Sequence, residues 1–198
     1  MINSLIYNFL EILEIVNIPF WGVLDLGLGY IPLAAFIIVA FTNAFNITDG
    51  LDGLACGLLL ICLAAFCFIS FQIFDTPLTI LTSVWIGALI AFLYFNVYPA
   101  RVFLGDTGAM AFGALMAVVG LMLGKIIALA FIGGIFILEV GSSLLQMLSK
   151  AWRGKKLFRA APLHLWLQDR GWEEPKIVMR AWLAQLVLAI FGLWLATF

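Results

Sequence analysis

Charged side chains are scarce in this sequence of 198 residues, at 11% of the total. Ordinary soluble domains carry about a quarter of their residues as Asp, Glu, Lys or Arg, so this scarcity excludes a typical soluble domain. The mean hydropathy of +1.17 agrees with that exclusion. The sequence instead contains a succession of apolar runs of about 20 residues, each long enough to cross a bilayer as a helix.

Basic residues are absent before Arg101, so we expect the N-terminus not to be a cleavable signal peptide, which would begin with a positively charged region. Cysteine is also rare. Cys56, Cys62 and Cys67 are an odd number at no metal-ligand spacing, and we predict buried apolar thiols. Repeats, low-complexity tracts and long linkers are absent too, which indicates a single membrane domain over residues 1–198.

The apolar runs predict an all-α, polytopic membrane helix bundle of about six transmembrane helices. Residues 1–18 are apolar with helical periodicity, but Glu11 and Glu14 interrupt the run. That interruption favours a short N-terminal interfacial helix, or the stub of a lost span, over a full crossing. We therefore interpret 1–29 as an interfacial or extracytoplasmic segment and 30–198 as the core. The expected spans are 30–48, 54–72, 79–97, 109–123, 127–149 and 177–197.

The basic residues are distributed unevenly among the expected loops. If the helices alternate in direction, the loops near 49–53, 98–108 and 150–176 lie on one face. Of the ten Lys and Arg residues, all but Lys125 lie in or beside these loops. The positive-inside rule then predicts that this face is cytoplasmic and that the C-terminus is extracytoplasmic.

Four polar side chains recur at every third position of the stretch NAFNITDGLDG, namely Asn43, Asn46, Asp49 and Asp52. A glycine follows each aspartate, so we expect the helix to end near Thr48 and the aspartates to lie on a turn. Capping of the next helix would account for one aspartate. Ionisable residues at the membrane edge are functional by default, so the stretch is a candidate site.

The stretch NVYPARVFLGDTGAMAFG, residues 96–113, holds Asp106 between two glycines just before the next helix. The glycines allow close approach of a ligand, and the free N–H groups of a helix start can face an anion. A helix cap is again the alternative. Two aspartate-glycine clusters on one face favour a hard cation such as Mg²⁺, which leaves positions open for phosphate. The pattern therefore favours phosphoryl transfer, with a carboxylate that positions or deprotonates the attacking group.

A third polar stretch, GKKLFRAAPLHLWLQDRGWEEPKIVMRAW, covers residues 154–182. Taken alone, it is equally well explained as a solvated loop with basic anchors. Together, the three stretches resemble successive signatures of the phospho-N-acetylmuramoyl-pentapeptide transferase (MraY) family, within the polyprenyl-phosphate N-acetylhexosamine-1-phosphate transferases. The resemblance runs from about Ile18 to the C-terminus, and GWEEPKIVMRAW favours this family over relatives that act on N-acetylglucosamine.

The resemblance implies transfer of phospho-MurNAc-pentapeptide from its UDP carrier to undecaprenyl phosphate, giving lipid I and UMP, with Mg²⁺ as cofactor. It implies a bacterial inner (plasma) membrane location. The expected partners are UDP-MurNAc-pentapeptide, undecaprenyl phosphate, the lipid bilayer, and a second copy of the chain or a missing N-terminal half. We expect no nucleic-acid partner.

Residue by residue, the resemblance implies catalytic roles for Asp49, Asp52, Asp106 and His164, with Asp106 as the magnesium ligand. It implies that Phe103 stacks on the uracil base. The basic residues Lys155, Lys156 and Arg159 would attract phosphate-bearing substrates. The substrate-binding residues that it implies are Asn43, Asn46, Gly50, Leu51, Asn96 and Phe103.

Departures from the family pattern keep other functions open. The chain aligns with the last six of the family's ten spans, so we expect it to lack an N-terminal acidic pair, and no Asp-Asp occurs in it. Leu165 and Trp166 replace two histidines, and Ala109 replaces a common serine. The alternatives are a truncated, inactive fragment that binds nucleotide or a partner, and a related transferase for another UDP-N-acetylhexosamine. A transporter or channel is disfavoured because the acidic residues cluster at one face.

Two further polar residues, Glu139 and Gln146, are spaced to share one face of the fifth span. Because an acid inside a membrane is costly, we expect Glu139 to face the bundle interior. Its role is open between structural support and lining of a lipid-phosphate groove.

Overall fold

Helices account for most of the chain that the computed structural model describes, residues 15–198. Five helices in this part are long and apolar enough to span a membrane, or six if one bent pair counts as a single span. The predicted all-α, multi-pass membrane bundle is therefore confirmed. The elements are a hairpin of β1 (Ile15–Ile18) and β2 (Gly22–Asp25), a 3₁₀ turn (Gly27–Gly29), α1 (Tyr30–Thr48), α2 (Leu54–Gln72), α3 (Thr76–Asn96), α4 (Gly105–Met122), α5 (Ile126–Ile132), α6 (Gly134–Arg153), α7 (Leu163–Asp169) and α8 (Glu174–Ala196).

The predicted N-terminal interfacial helix is wrong where the structure describes it. Residues 1–14 lie outside the described part, and the strands that follow pair antiparallel, with Val16 opposite Leu24. β-branched residues favour these strands, and Pro19 in the turn disfavours a continuing helix. Phe20 of the turn lies with its ring centroid 4.6 Å from that of Phe198. The hairpin and the C-terminus therefore share one end of the bundle, as the alternation of spans predicted.

α2 is the central helix and packs against both α3 and α8, while α1 packs mainly against α4. Glycines at these contacts bring the helix axes close together, as is common in membranes. A Cβ at Gly57 would collide with the ring of Trp182 in α8. A Cβ at Gly113 would lie 2.7 Å from the carbonyl oxygen of Phe41. Substitution of either glycine would push the helices apart.

The cysteines lie along α2 as free thiols. Cys56 and Cys62 are fully buried in the core, which confirms the prediction for these two. Cys67 is only half-buried, and its Sγ lies 3.4 Å from the Ser83 hydroxyl oxygen of α3. This thiol sits at the α2–α3 contact rather than in the core.

The fifth span was predicted as one helix over 127–149, and this is wrong. The chain bends by 79° between α5 and α6, at Gly133. A Cβ on Gly133 would lie 2.6 Å from the methyl carbon of Met116, so the absence of a side chain lets α4 approach the bend. Gln185 of α8 satisfies the backbone at the break. Its Oε1 accepts from the Ile135 N–H at 3.1 Å, and its Nε2 donates to the Ile132 carbonyl.

Because hydrocarbon offers no water to a broken helix, such a bend is tolerated where protein groups replace the missing hydrogen bonds. The Cys62 thiol supplies a third group, since it donates to the Ile132 carbonyl at 2.9 Å. The bend carries α6 past α1 and brings Glu139 to the end of the bundle that bears the polar clusters.

Candidate active site

The three polar clusters meet at the end of the bundle opposite the hairpin. The turn 49–53 joins α1 to α2, as predicted from its glycines. This turn contacts the loop 97–104 between α3 and α4, the segment 154–173 between α6 and α8, and the first residue of α8. The sequence reasoning placed these clusters on one face, and the contacts confirm that they share one end.

Asp52 joins the other two clusters to the turn. Its Oδ2 accepts a hydrogen bond from the backbone N–H of Ala100 at 2.8 Å. Its own backbone N–H donates to Oε1 of Glu174 at 2.6 Å. The alternative interpretation, in which one aspartate caps the following helix, is wrong, because Gly53 holds the N-cap position without a side-chain bond. Asp52 therefore fixes the relative positions of two loops and the start of α8.

Asp106 lies exposed in the first turn of α4, where a carboxylate is favoured by the free N–H groups of the helix start. The Asn46 amide of α1 donates to its Oδ1 at 3.4 Å, a long hydrogen bond. Gly105, with φ +64°, adopts a left-handed conformation that glycine accepts without strain. The turn thus presents the Asp106 carboxylate to the outside while Asn46 restrains one of its oxygens.

Asp49 ends α1, with its backbone N–H bonded to the Phe45 carbonyl at 3.0 Å. Its side chain is half-buried. Burial raises the pKa of the Asp49 carboxyl above the ordinary value of 3.8, because loss of hydration disfavours the charged form. The Asp49 carboxyl therefore holds its proton to a higher pH than an exposed aspartate does.

His164 at the start of α7 lies against the turn that bears Asp49. A Cβ on Gly50 would be 2.7 Å from the imidazole Nε2, so only glycine leaves room for the ring there. The other ring nitrogen, Nδ1, lies 3.1 Å from Oε2 of Glu139. The same oxygen accepts the His164 backbone N–H at 3.3 Å. Glu139 faces the bundle interior, as predicted, and its partner is the predicted site histidine.

The loop 97–104 is folded back by Asn96, which is 3% exposed. Its amide nitrogen donates to the Val102 carbonyl at 2.9 Å, while its Oδ1 is buried without a partner among the described residues. Phe103, further along the loop, is 69% exposed. The structure thus leaves the Phe103 ring open to a stacking ligand, and gives Asn96 a role in holding the loop.

Two residues implied as substrate-binding have their side chains engaged elsewhere. The Asn43 amide donates to the Val39 carbonyl of its own helix at 2.8 Å. The Leu51 side chain is only 7% exposed and belongs to the hydrophobic core. The structure brings Asn46, Asp49, Gly50 and their partners together, but does not bring the Leu51 side chain to an open surface.

Three basic residues lie on the segment that joins α6 to α7. Lys155, Lys156 and Arg159 are exposed, and Arg159 forms an ion pair with Asp169 at 3.4 Å. Gln146 of α6 fixes this segment, since its Oε1 accepts from the Phe158 N–H at 2.8 Å. The segment therefore presents positive charge from a defined backbone.

The residues that replace the expected histidines have other surroundings. Leu165 is exposed, and the Trp166 ring lies 4.2 Å from the guanidinium carbon of Arg170. This cation–π contact covers one face of the indole. Neither side chain can exchange protons, so His164 alone offers an imidazole here.

Sequence reasoning missed Glu174 and Gln185. Glu174 belongs to the quoted GWEEPK stretch, and its position before a long apolar run was a signal for contact with another loop. Gln185 is an isolated amide within the last span, and it is fully buried. A lone amide at membrane depth must find a partner, and this signal was available in the sequence.

Comparisons with known proteins give the family of this chain. The sequence matches glycosyl transferase family 4 over residues 1–124. It is 39% identical over 195 residues to a protein named phospho-N-acetylmuramoyl-pentapeptide-transferase in Staphylococcus carnosus (strain TM300), covering 98% of this chain and 61% of that protein. A protein of the same name in Staphylococcus aureus (strain bovine RF122 / ET3-1) is 37% identical over 193 residues, covering 97% and 60%.

The chain thus spans about three fifths of the length of these relatives. The matches extend across all three polar clusters, and they confirm the resemblance predicted from them. The chain belongs to glycosyl transferase family 4.

Proposed function

We propose that this chain forms part of a membrane transferase that moves phospho-MurNAc-pentapeptide from its UDP carrier to undecaprenyl phosphate, giving lipid I and UMP. The names of the staphylococcal relatives support this chemistry. The observation that carries the proposal is the meeting of three separate polar clusters at one end of an otherwise apolar bundle, linked through Asp52 and Asn46.

The donors at this end fit a magnesium ion that is shared with substrate. Within residues 15–198, no group of three or more His, Cys, Asp and Glu side chains is arranged to hold a metal. Mg²⁺ commonly takes only one or two protein carboxylates and completes its shell with water and phosphate oxygens. Asp106 is exposed and would hold the ion, which when bound would neutralise charge on the phosphate oxygens.

The remaining residues would bind and orient the substrates. Asn46 restrains the Asp106 carboxylate. Asp49 would position the attacking phosphate or take its proton, and its raised pKa suits that task. Phe103 would stack on the uracil ring. The exposed basic residues of segment 154–159 would attract the negatively charged substrates.

We further propose that this end of the bundle faces the cytoplasm of a bacterial inner membrane. The distribution of Lys and Arg supports that orientation. The hairpin and the C-terminus would then lie on the extracytoplasmic side.

The test is release of UMP from UDP-MurNAc-pentapeptide by the purified chain, with undecaprenyl phosphate and Mg²⁺. We expect turnover that Asp106→Asn abolishes. Asp75→Asn is the matched control, because Asp75 caps α3 at the opposite end of the bundle. Absence of turnover both by the chain alone and with a co-expressed N-terminal half of a relative would reject the proposal. Turnover of another UDP-N-acetylhexosamine in its place would support a related transferase.

A second candidate is a non-catalytic protein that binds the nucleotide. It is favoured by the engagement of Asp52 with the Ala100 backbone and by Leu165 and Trp166 in place of histidines. Calorimetry would support it if UMP binds the chain in the absence of any turnover. Catalysis that disappears in Asp106→Asn would eliminate it.

A further inference from the structure

Glu139 and His164 form a buried polar pair that the reaction proposed above does not explain. Their side chains are 4% and 3% exposed, respectively. They come from α6 and α7, which are separated in sequence by the whole basic segment. A carboxylate and an imidazole in an apolar bundle are costly unless each satisfies the other. We therefore expect the role of this pair to lie at the adjacent turn of Gly50.

The geometry distinguishes the two ring nitrogens of His164. Nδ1 faces the carboxylate, with Oε2 at 3.1 Å, whereas Nε2 faces Gly50. An ionised carboxylate can accept hydrogen bonds but has no proton to donate. Its contact with Nδ1 is therefore favourable when Nδ1 carries the proton. In the neutral ring, Nε2 then has a free lone pair directed at the Asp49–Leu51 turn.

Glu139 also holds the ring in place through the backbone. The Oε2 atom that contacts Nδ1 accepts the His164 N–H at 3.3 Å. One oxygen thus restrains both the main chain and the side chain of the same residue. The ring has little freedom to rotate about its Cα–Cβ bond without breaking one of the two contacts.

We propose that Glu139 is a positioning residue that keeps the proton of His164 on Nδ1 and directs Nε2 at the active-site turn. A proton taken up at Nε2 from the substrate side would produce an imidazolium, whose charge Glu139 balances across the Nδ1 contact. The use of Nε2 in turnover rests on the proposed function. The position of the proton does not.

His164 is the single histidine of the chain, so its imidazole ¹⁵N signals can be assigned without ambiguity. The first experiment records these signals across a pH titration, on the full chain labelled with ¹⁵N-histidine in detergent micelles. We expect Nδ1 to remain protonated in the neutral ring, with the type of signal that a proton-bearing nitrogen gives. A neutral ring with its proton on Nε2 would overturn the proposal, whether or not the chain has activity.

Two variants of Glu139 distinguish the effect of its hydrogen bonds to His164 from the effect of its charge. Glu139→Gln retains an oxygen that can accept both hydrogen bonds, so we expect the Nδ1 proton to stay. Glu139→Leu removes the acceptor, and we expect the preference for Nδ1 to be lost. Ser142→Ala is the matched control one turn along α6, because among the described residues its hydroxyl bonds only to the Glu139 backbone carbonyl, at 2.8 Å. An Nδ1 preference that survives in Glu139→Leu would overturn the proposal.

A double-mutant cycle on UMP release tests whether Glu139 acts through His164. We expect Glu139→Leu to lower turnover about tenfold or more, in line with other groups that orient a site residue. In a His164→Ala background, the same substitution should lower turnover no further. Equal losses in both backgrounds would show a merely structural role for Glu139. Absence of turnover both by the chain alone and with the co-expressed N-terminal half would reject the proposed function, while the ¹⁵N signals would still decide the proton position.

Discussion

Gln185 accepts the backbone N–H of Ile135 at 3.1 Å and so closes the break between two helices with a side chain from a third. Substitution by Leu would leave this N–H and the Ile132 carbonyl without their amide partner. We expect Gln185→Leu to lower the free energy of unfolding by about 1–3 kcal/mol, the cost of leaving a buried polar group unsatisfied. Thermal unfolding of the detergent-solubilised chain measures this. Gln72→Leu, at the exposed end of α2, is the control and should change little.

Gly50 is the second position where the structure predicts a sharp effect. The methyl group of Gly50→Ala would lie 2.7 Å from Nε2 of the buried imidazole. We expect a loss of about 1–3 kcal/mol in stability, as for other overpacked sites, together with loss of turnover. Gly141→Ala on α6 meets no atom within 4 Å and should be neutral or slightly stabilising. Equal melting temperatures for the two variants would contradict the packing described here.

Substitutions of Asp52 and of Asp106 should differ in their effect on the free energy of unfolding. Asp52→Ala removes the acceptor for the Ala100 N–H, and we expect it to cost about 1.5–3 kcal/mol, the range for a hydrogen bond to a charged group. Asp106→Ala alters an exposed side chain and should stay within about 0.5 kcal/mol of the parent. Denaturant titration of both variants measures the difference. If Asp106→Ala were the more destabilising, its carboxylate would be structural rather than available to a metal.

The raised pKa of Asp49 makes a prediction about pH. Burial favours the neutral form of the Asp49 carboxyl in the folded chain. The contribution of this group to the stability of the fold is therefore fully present below the ordinary aspartate pKa. It is lost as the pH rises through the raised pKa of the folded chain. Asp49→Asn should therefore melt higher than the parent at neutral pH, with a gain that shrinks on acidification. If turnover needs the carboxylate, the parent should lose activity in acid at a pH above 3.8. A constant difference in melting temperature at all pH values would refute this.

Phe103 should affect nucleotide binding without affecting the fold. Its ring is 69% exposed, so Phe103→Ala removes few internal contacts. If it stacks on uracil, UMP affinity should fall by about 1–3 kcal/mol, the usual effect of removing an aromatic ring from a base. Calorimetric titration with UMP measures this. Phe74→Ala is the control, because Phe74 is an exposed phenylalanine in the connection between α2 and α3, at the opposite end of the bundle.

Sequence could predict the end of α1 because the signal is local. Asp49, Gly50 and Gly53 form a glycine-punctuated turn whatever surrounds them. It could also predict which clusters share a face, because alternating spans place their loops on two sides. The Asp52 contact was out of reach, since its partner is the Ala100 backbone N–H, which every residue except proline carries.

The broken fifth span escaped prediction for a related reason. Its apolar composition is continuous across Gly133, and isolated glycines are common in membrane helices. What permits the bend is an amide on α8, far along the chain, that replaces the lost hydrogen bonds. The hairpin escaped because apolar residues at 15–25 fit both a helix and a strand.

Because the chain bends at Gly133, a rotation of α6 about this residue would displace its two ends unequally. With 20 residues, the arm is about 30 Å long, so a rotation of about 10° at the pivot moves its far end by about 5 Å. Glu139 lies close to the pivot and moves only about 1–2 Å in the same rotation. Such a rotation would therefore leave Glu139, the partner of His164, nearly in place and would displace Arg153 at the far end of α6 several times further.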